Sequence, residues 1–240
     1  MKTLIHLSDL HFGRVDHTML DPLRAKVHAL APHLVVVSGD LTQRARARQF
    51  REARAFLESL PKPQVVVPGN HDVPLWNVLA RFLRPYAGFR RAISQELEPR
   101  YVDDEIAVFG VNTARGFTTK HGWVSGAQLA KLRERLAALR GEQVRILVMH
   151  HLCPELAVLG VDVLVAGHGH ATRVEAASTL VVEAGTATSS RTRAEPNAFN
   201  VLRIRGRRVQ VEHYELSGRE FRRAASGAFD RASGGWVAAA

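Results

Sequence analysis

The stretch HLVVVSGDLTQRARARQFREARAFLESLPKPQVVVPGNHD, residues 33–72, reads as a strand, a helix and a second strand. LVVVSG and QVVVPG are short apolar runs of β-branched residues that close on Gly. Such runs suit strands buried on both faces. Residues 45–60 between them carry a helical pattern. Each strand then ends in a loop with hard donor atoms: Gly39-Asp40 after the first, Gly69-Asn70-His71-Asp72 after the second.

The same alternation extends both ways. TLIHL, IAVFGV, RILVMH and VDVLVAG read as further buried strands. A helix is expected over residues 20–30, and two short helices over 74–97, broken near Pro85. The clearest helix starts at Ser125. Ser125 and Gln128 have capping-box spacing, Leu129, Leu132, Leu136 and Leu139 form one apolar stripe, and Gly141 stops it. After residue 170 the pattern changes. TRVEAA, TLVVEAG, NAFNVLRIRG and RRVQVEHYEL look like consecutive antiparallel strands, with a hairpin turn at Arg205-Gly206-Arg207. From Ser217 the chain is rich in Gly, Ala, Ser and Arg, so a loosely packed or partly helical tail is expected over 217–240. No internal repeat or linker divides the rest, which reads as one α/β domain over residues 1–216.

Composition sets the class. At 240 residues, 46% hydrophobic and 23% charged, the chain is globular and has ample material for a core. No apolar run approaches the ~20 residues of a membrane-crossing helix. The start, MKTLIHLSDLH, is interrupted by Asp9 and His11 and does not read as a signal peptide. The single cysteine, Cys153, excludes an internal disulfide and a thiolate zinc site. A cytoplasmic location is the resulting expectation. The net charge of +10 rests on 33 basic residues, only five of them lysine. A basic surface attracts phosphate esters, nucleic acid and acidic lipid headgroups. Tracts such as RARARQFREAR and RIRGRR are read first as solvated faces.

The informative feature is what stands at the strand ends. Five loops carry Asp9-Leu10-His11, Gly39-Asp40, Gly69-Asn70-His71-Asp72, His150-His151 and Gly167-His168-Gly169-His170. In an open α/β sheet, loops at the carboxyl ends of strands crowd into one crevice. Carboxylates, an amide and imidazoles without thiolate suit Mn, Fe, Zn or Co and exclude an iron–sulfur cluster. The ligands are too many for one tetrahedral ion, which favours two ions sharing a carboxylate. Gly39, Gly69, Gly167 and Gly169 would let the backbone turn sharply there.

SDLH, SGDL, GNHD, MHH and GHGH, in that order over residues 8–170, resemble the motifs of the calcineurin-like metallophosphoesterases. The resemblance implies a single-domain αββα sandwich of two mixed β-sheets flanked by helices. It also implies site roles. Asp9, His11 and His170 would hold one metal, Asn70, His150 and His168 a second, with Asp40 bridging. Mn or Fe are the foremost candidates, with Zn and Co admitted. His71 matches the histidine that stabilises phosphoryl oxygens or protonates the leaving group, with Asp72 orienting it. His151 would be a ligand neighbour or a substrate contact.

GNHDVP and VNTARGFTTKHGWVSGAQLAKL are most similar to the small bacterial cyclic-nucleotide phosphodiesterase branch. That branch implies hydrolysis of a phosphodiester, a 3′,5′-cyclic nucleotide among the candidates, by a hydroxide bridging two metals. His121, Gly122 and Trp123 would stand on the substrate rim, Trp123 alternatively packing at the helix entrance. Arg14 is the arginine nearest a ligand loop in sequence and a candidate substrate contact, with a surface position as its alternative. Two departures stand out. The family's H-H-P-P is His150-His151-Leu152-Cys153-Pro154 here, and only 16 residues separate His151 from His168. A nuclease and a phosphomonoesterase remain the alternative readings. Outside the constellation, His6 reads as a core histidine, His28 and His33 as solvent-facing, and Cys153 as packing.

Overall fold

The computed structural model describes residues 1–117, 121–139, 141–189 and 195–239. The first strand, β1 (Lys2–Leu7), leads through α1 (Leu20–Ala29) to β2 (Leu34–Val37), and α2 (Ala47–Glu58) leads on to β3 (Gln64–Val66). Two short helices follow, α3 (Val78–Leu83) and α4 (Ala87–Ala92), and then β4 (Arg100–Val102) and β5 (Ile106–Val111). Helix α5 (Gly126–Ala137) precedes β6 (Val144–Met149), β7 (Val163–Ala166), β8 (Arg173–Ala176) and β9 (Leu180–Glu183). The chain ends in β10 (Ala198–Arg205), β11 (Arg208–Ser217), β12 (Glu220–Ala232) and β13 (Gly235–Ala238).

These strands form two mixed sheets, ordered β13-β12-β11-β10-β1-β2-β3 and β4-β5-β6-β7-β9-β8. The alternation along each strand explains the layering. Leu4, Leu34, Val36 and Val65 of one sheet meet Ile146, Val148, Val163 and Val165 of the other. Their neighbours Ile5, Leu7, Val35 and Val37 face outward onto Leu23, Val27, Phe50, Phe56 and Leu57 of α1 and α2. On the far side, Phe109, Leu147 and Met149 pack on Leu132 and Leu136 of α5. Both faces of each central strand are therefore buried, which is why these strands read as unbroken apolar runs. The result is the expected αββα sandwich.

Register positions the site. Leu7 pairs with Val37 and Val37 with Val66 in parallel, so β1, β2 and β3 end level with one another. In the other sheet, Val148 pairs with Val165 in parallel, levelling β6 and β7. Ser125 caps α5 as expected. Its Oγ accepts from Gln128 N at 3.2 Å, and Gln128 Oε1 accepts from Ser125 N at 3.0 Å.

Two expectations need correction. The strands after residue 170 are not one antiparallel run. β9 lies parallel to β7, Val163 opposite Leu180, and β10 then crosses to the other sheet, where it pairs antiparallel with β1. The segment from Ser217 is neither loose nor partly helical but forms β12 and β13, which extend the seven-stranded sheet. Composition hid them, because Ala, Gly and Ser carry little strand propensity. The paired backbone and the packing of Phe229 and Trp236 on the inter-sheet core supply what propensity does not. Strand β4 had no sequence expectation; its three residues are too short for periodicity to register.

Candidate metal centre

The five donor loops converge at the carboxyl edges of both sheets. Three follow β1, β2 and β3 of one sheet; two follow β6 and β7 of the other. Among the described residues, seven non-glycine residues have positive φ, and five are expected ligands: Asp9, His11, Asp40, His168 and His170. That conformation costs a side chain of this kind on the order of 1–3 kcal/mol and persists only where the surroundings enforce it. Two of the loop glycines serve different ends: Gly39 turns with φ +98°, whereas Gly167 makes room. A Cβ on Gly167 would overlap Ser8 Oγ and stand 2.7 Å from Asp9 Oδ2.

The two central carboxylates follow one pattern. Asp9 is fully buried, and its Oδ2 accepts from Ser8 Oγ at 2.5 Å and from the His168 N–H at 3.1 Å. Its Oδ1 has no hydrogen-bond donor and faces His170 Nε2 at 3.2 Å and His11 Nε2 at 3.5 Å. Asp40 Oδ1 accepts from the His71 N–H at 2.8 Å. Its Oδ2 faces His150 Nε2 at 3.4 Å, His11 Nε2 at 3.7 Å and His71 Nε2 at 4.0 Å. Each carboxylate thus spends one oxygen on the scaffold and turns the other toward imidazole nitrogens. A buried carboxylate oxygen without a donor is costly unless a cation faces it. The donor set fits metal ions on that observation.

The ligand atoms of Asp9, His11 and His170 lie within 4.8 Å of one another, as do those of His150, His151 and His168. Asn70 Oδ1 stands 3.1 Å from His150 Nε2, and His168 Nδ1 stands 3.3 Å from the same atom. Asp40 Oδ2 lies between the groups. His150 is oriented by the Ser38 carbonyl, 2.8 Å from its Nδ1. Burial opposes a charge on His150, but Asp40 and Asp9 outweigh it and raise the ring to about 9. Burial likewise favours protonation of Asp40, yet His150 and His11 hold it below the ordinary carboxylate range. Burial and His150 lower His168 to about 4, keeping that imidazole neutral.

His71 is partly exposed at the rim, and its ring is held by a residue the sequence did not flag. Its Nδ1 lies 2.9 Å from the Gln43 carbonyl, with the Gln43 amide at 3.3 Å and Arg44 Nη1 at 3.5 Å. The shortest bond requires Nδ1–H, which leaves Nε2 turned to the Asp40 side. Asp72 does not orient this ring, contrary to expectation. Its carboxylate accepts from the N–H groups of Leu41, Thr42 and Gly69, and from the Thr42 hydroxyl. It staples the Asp40 loop to the Asn70 loop instead. Burial and the charge of Asp40 push Asp72 up to about 6, against those backbone donors. Gln43 follows GDLT without any composition signal, so only its fold neighbours reveal it.

The remaining candidates fall as follows. His151 is buried, its Nδ1 3.2 Å from Thr113 Oγ1, and burial, with His150 and His168 beside it, lowers it to about 2. Gly122 packs against the His151 side chain. His121 and Trp123 are exposed beside it, and Arg115 lies over the Trp123 ring at 5.2 Å. Part of the rim stretch, residues 118–120, lies outside the described residues. Arg14 is exposed, and its N–H closes a turn on the His11 carbonyl at 2.8 Å. His6 is a buried core histidine bonded to Ser38 Oγ at 2.9 Å. His28 and His33 are exposed, and Cys153 is buried, its thiol pushed up to about 12 by burial.

Residues 2–172 match the calcineurin-like phosphoesterase family, and the chain belongs to that family. It is 27% identical over 185 residues to the glycerophosphodiester phosphodiesterase GpdQ of Enterobacter lignolyticus, covering 70% of this chain and 63% of that protein. It is 26% identical over 174 residues to the uncharacterized protein YpbG of Bacillus subtilis, covering 70% and 61%. The chain thus spans less than two thirds of the length of these curated relatives. Among solved structures, the purple acid phosphatase PPD1 of yellow lupin superposes with a TM-score of 0.72 at 12% identity, over 97% of this chain and 54% of that one. Vacuolar protein sorting 29 of Cryptosporidium parvum superposes with a TM-score of 0.55 at 19% identity, over 95% and 98%. Both likenesses concern the fold.

Proposed function

We propose that this chain is a metal-dependent phosphodiesterase with a binuclear centre. Asp9, His11 and His170 would hold one ion, Asn70, His150 and His168 the other, and Asp40 would bridge. The observation that carries the reading is the position of Asp40 Oδ2, within 3.7 Å of a nitrogen from each group. Membership of a phosphoesterase family and the kinship to a glycerophosphodiester phosphodiesterase support it. Bound metal ions supply Lewis-acid polarisation of a phosphoryl oxygen and lower the pKa of water.

The chain's own residues supply the rest. His71 directs Nε2 toward the centre because Gln43 holds Nδ1. Neutral, that nitrogen accepts a proton or hydrogen bond; protonated, it donates to a phosphoryl or leaving oxygen. Arg44 beside the ring adds positive charge at the same rim. His168 stays neutral, which suits nitrogen donation to a cation, whereas His150, held protonated by Asp40 and Asp9, would give up its proton to a bound ion. The substrate is a phosphodiester, a 3′,5′-cyclic nucleotide among the candidates. A diester has one charge and two free oxygens, whereas a monoester dianion needs further cationic donors.

The test compares kcat/KM for bis-p-nitrophenyl phosphate, p-nitrophenyl phosphate, cyclic AMP and single-stranded DNA with Mn added. The diester should be preferred over the monoester. A clear monoester preference would make the chain a phosphomonoesterase, and strong DNA cleavage without action on cyclic AMP a nuclease.

A further inference from the structure

Helix α3 is inside out. Its one charged residue, Arg81, is buried, with Nη1 3.1 Å from the Pro74 carbonyl, while Val78, Leu79, Phe82 and Leu83 face solvent. Leu79 is 74% and Leu83 75% exposed, and Trp76 just before the helix is 78% exposed. The helix is deliberately seated, since Asn77 caps it through Ala80 N at 2.9 Å. Against Arg81 the backbone of Gly116 packs so closely that a Cβ there would strike the Arg81 carbonyl. Phe117 and Trp123, both exposed and 5.6 Å apart edge to face, continue the apolar surface toward the rim at Gly122. A contiguous exposed surface of Trp, Leu, Phe and Val on a folded chain marks an interaction site.

Charge identifies the occupant. Residues 73–95 hold four arginines, Arg81, Arg84, Arg90 and Arg91, and no aspartate or glutamate. Arg84, Arg90 and Arg91 are exposed. Exposed apolar side chains followed within a few residues by exposed arginines, on a chain of net charge +10, match an anionic lipid surface. A second copy fits poorly, because a twofold contact across α3 would bring the Arg84 side chains of the two copies together, and residues 73–95 hold no carboxylate to offset them. We propose that the surface formed by Trp76 and α3 docks on an anionic phospholipid bilayer, with Trp76, Leu79, Phe82 and Leu83 entering the headgroup boundary and Arg84, Arg90 and Arg91 meeting lipid phosphates. Docking is independent of the metal chemistry.

Co-sedimentation with vesicles of phosphatidylcholine alone, and of an equal mixture with phosphatidylglycerol, tests this on the full chain. The protein should sediment with the mixed vesicles far more than with the neutral ones, and less at high salt. Replacing Trp76, Leu79 and Phe82 together by Ser should weaken binding by about tenfold or more, and Arg84→Gln with Arg90→Gln and Arg91→Gln should do likewise. Matching circular dichroism melting curves establish that these variants fold. Tryptophan emission should shift blue on mixed vesicles and lose that shift in Trp76→Phe. Absent or charge-independent sedimentation, or equal binding by the variants, overturns the proposal. So does a dimer in sedimentation equilibrium that the Ser substitutions dissociate while vesicle binding is lacking.

Discussion

The backbone N–H of His168 donates to Asp9 Oδ2 at 3.1 Å, and this bond joins loops that belong to different sheets. Asp9 follows β1 of the seven-stranded sheet, His168 follows β7 of the other. The crevice is therefore built across the inter-sheet seam, and its geometry depends on how closely the two loops approach.

Gly167→Ala tests that approach. The added Cβ would overlap Ser8 Oγ and press on Asp9 Oδ2, in a region with little room to relax. A loss of about 1–3 kcal/mol in denaturant unfolding is expected, as for overpacking elsewhere. Metal affinity should fall with it. Unchanged stability and unchanged metal uptake would show that the seam tolerates separation.

His71→Ala should keep both metals and lose about 10²–10⁴-fold in turnover, the usual range for a positioned acid or base. If the ring protonates the leaving oxygen, the loss should shrink for p-nitrophenolate esters, which need little protonation. An equal loss for poor and good leaving groups leaves stabilisation of phosphoryl oxygens. Loss of a metal would make His71 a ligand.

The αββα layering and the donor loops were legible because the strands buried on both faces announce themselves as apolar runs, each ending in Asp, Asn or His. What was hidden depends on contacts between distant segments. The orientation of His71 rests on Gln43, 28 residues away in sequence, and on a carbonyl rather than a side-chain type. Asp72 stood beside His71 in the motif, yet its carboxylate is turned to the amides of Leu41 and Thr42. Strands β12 and β13 carry no legible apolar pattern, because a backbone ladder defines them.

Away from the crevice, Asp103 should govern part of the acid sensitivity. Burial opposes its ionisation, but the amide of Ile106, the ammonium of Lys2 and the amide of Glu105 outweigh it and lower it from 3.8 to about 2. A carboxyl depressed in the folded state stabilises above its unfolded pKa, and that contribution is lost as pH falls through the folded value. Asp103→Asn should cost about 1–2 kcal/mol at neutral pH after allowance for solvent screening. The difference from the unaltered protein should close between pH 3.8 and about 2. A gap that persists at the acid end would assign the loss to packing instead.

The central claim is that one carboxylate serves two ions. Metal content per chain, measured by inductively coupled plasma mass spectrometry after Mn loading, decides it when the unaltered protein is set beside Asp40→Asn. Asn keeps the shape and removes the charge. The account predicts two ions per chain in the first and one or none in the second, with diester hydrolysis lower by orders of magnitude and the melting curve still cooperative. Two ions retained in Asp40→Asn with full hydrolysis would contradict it.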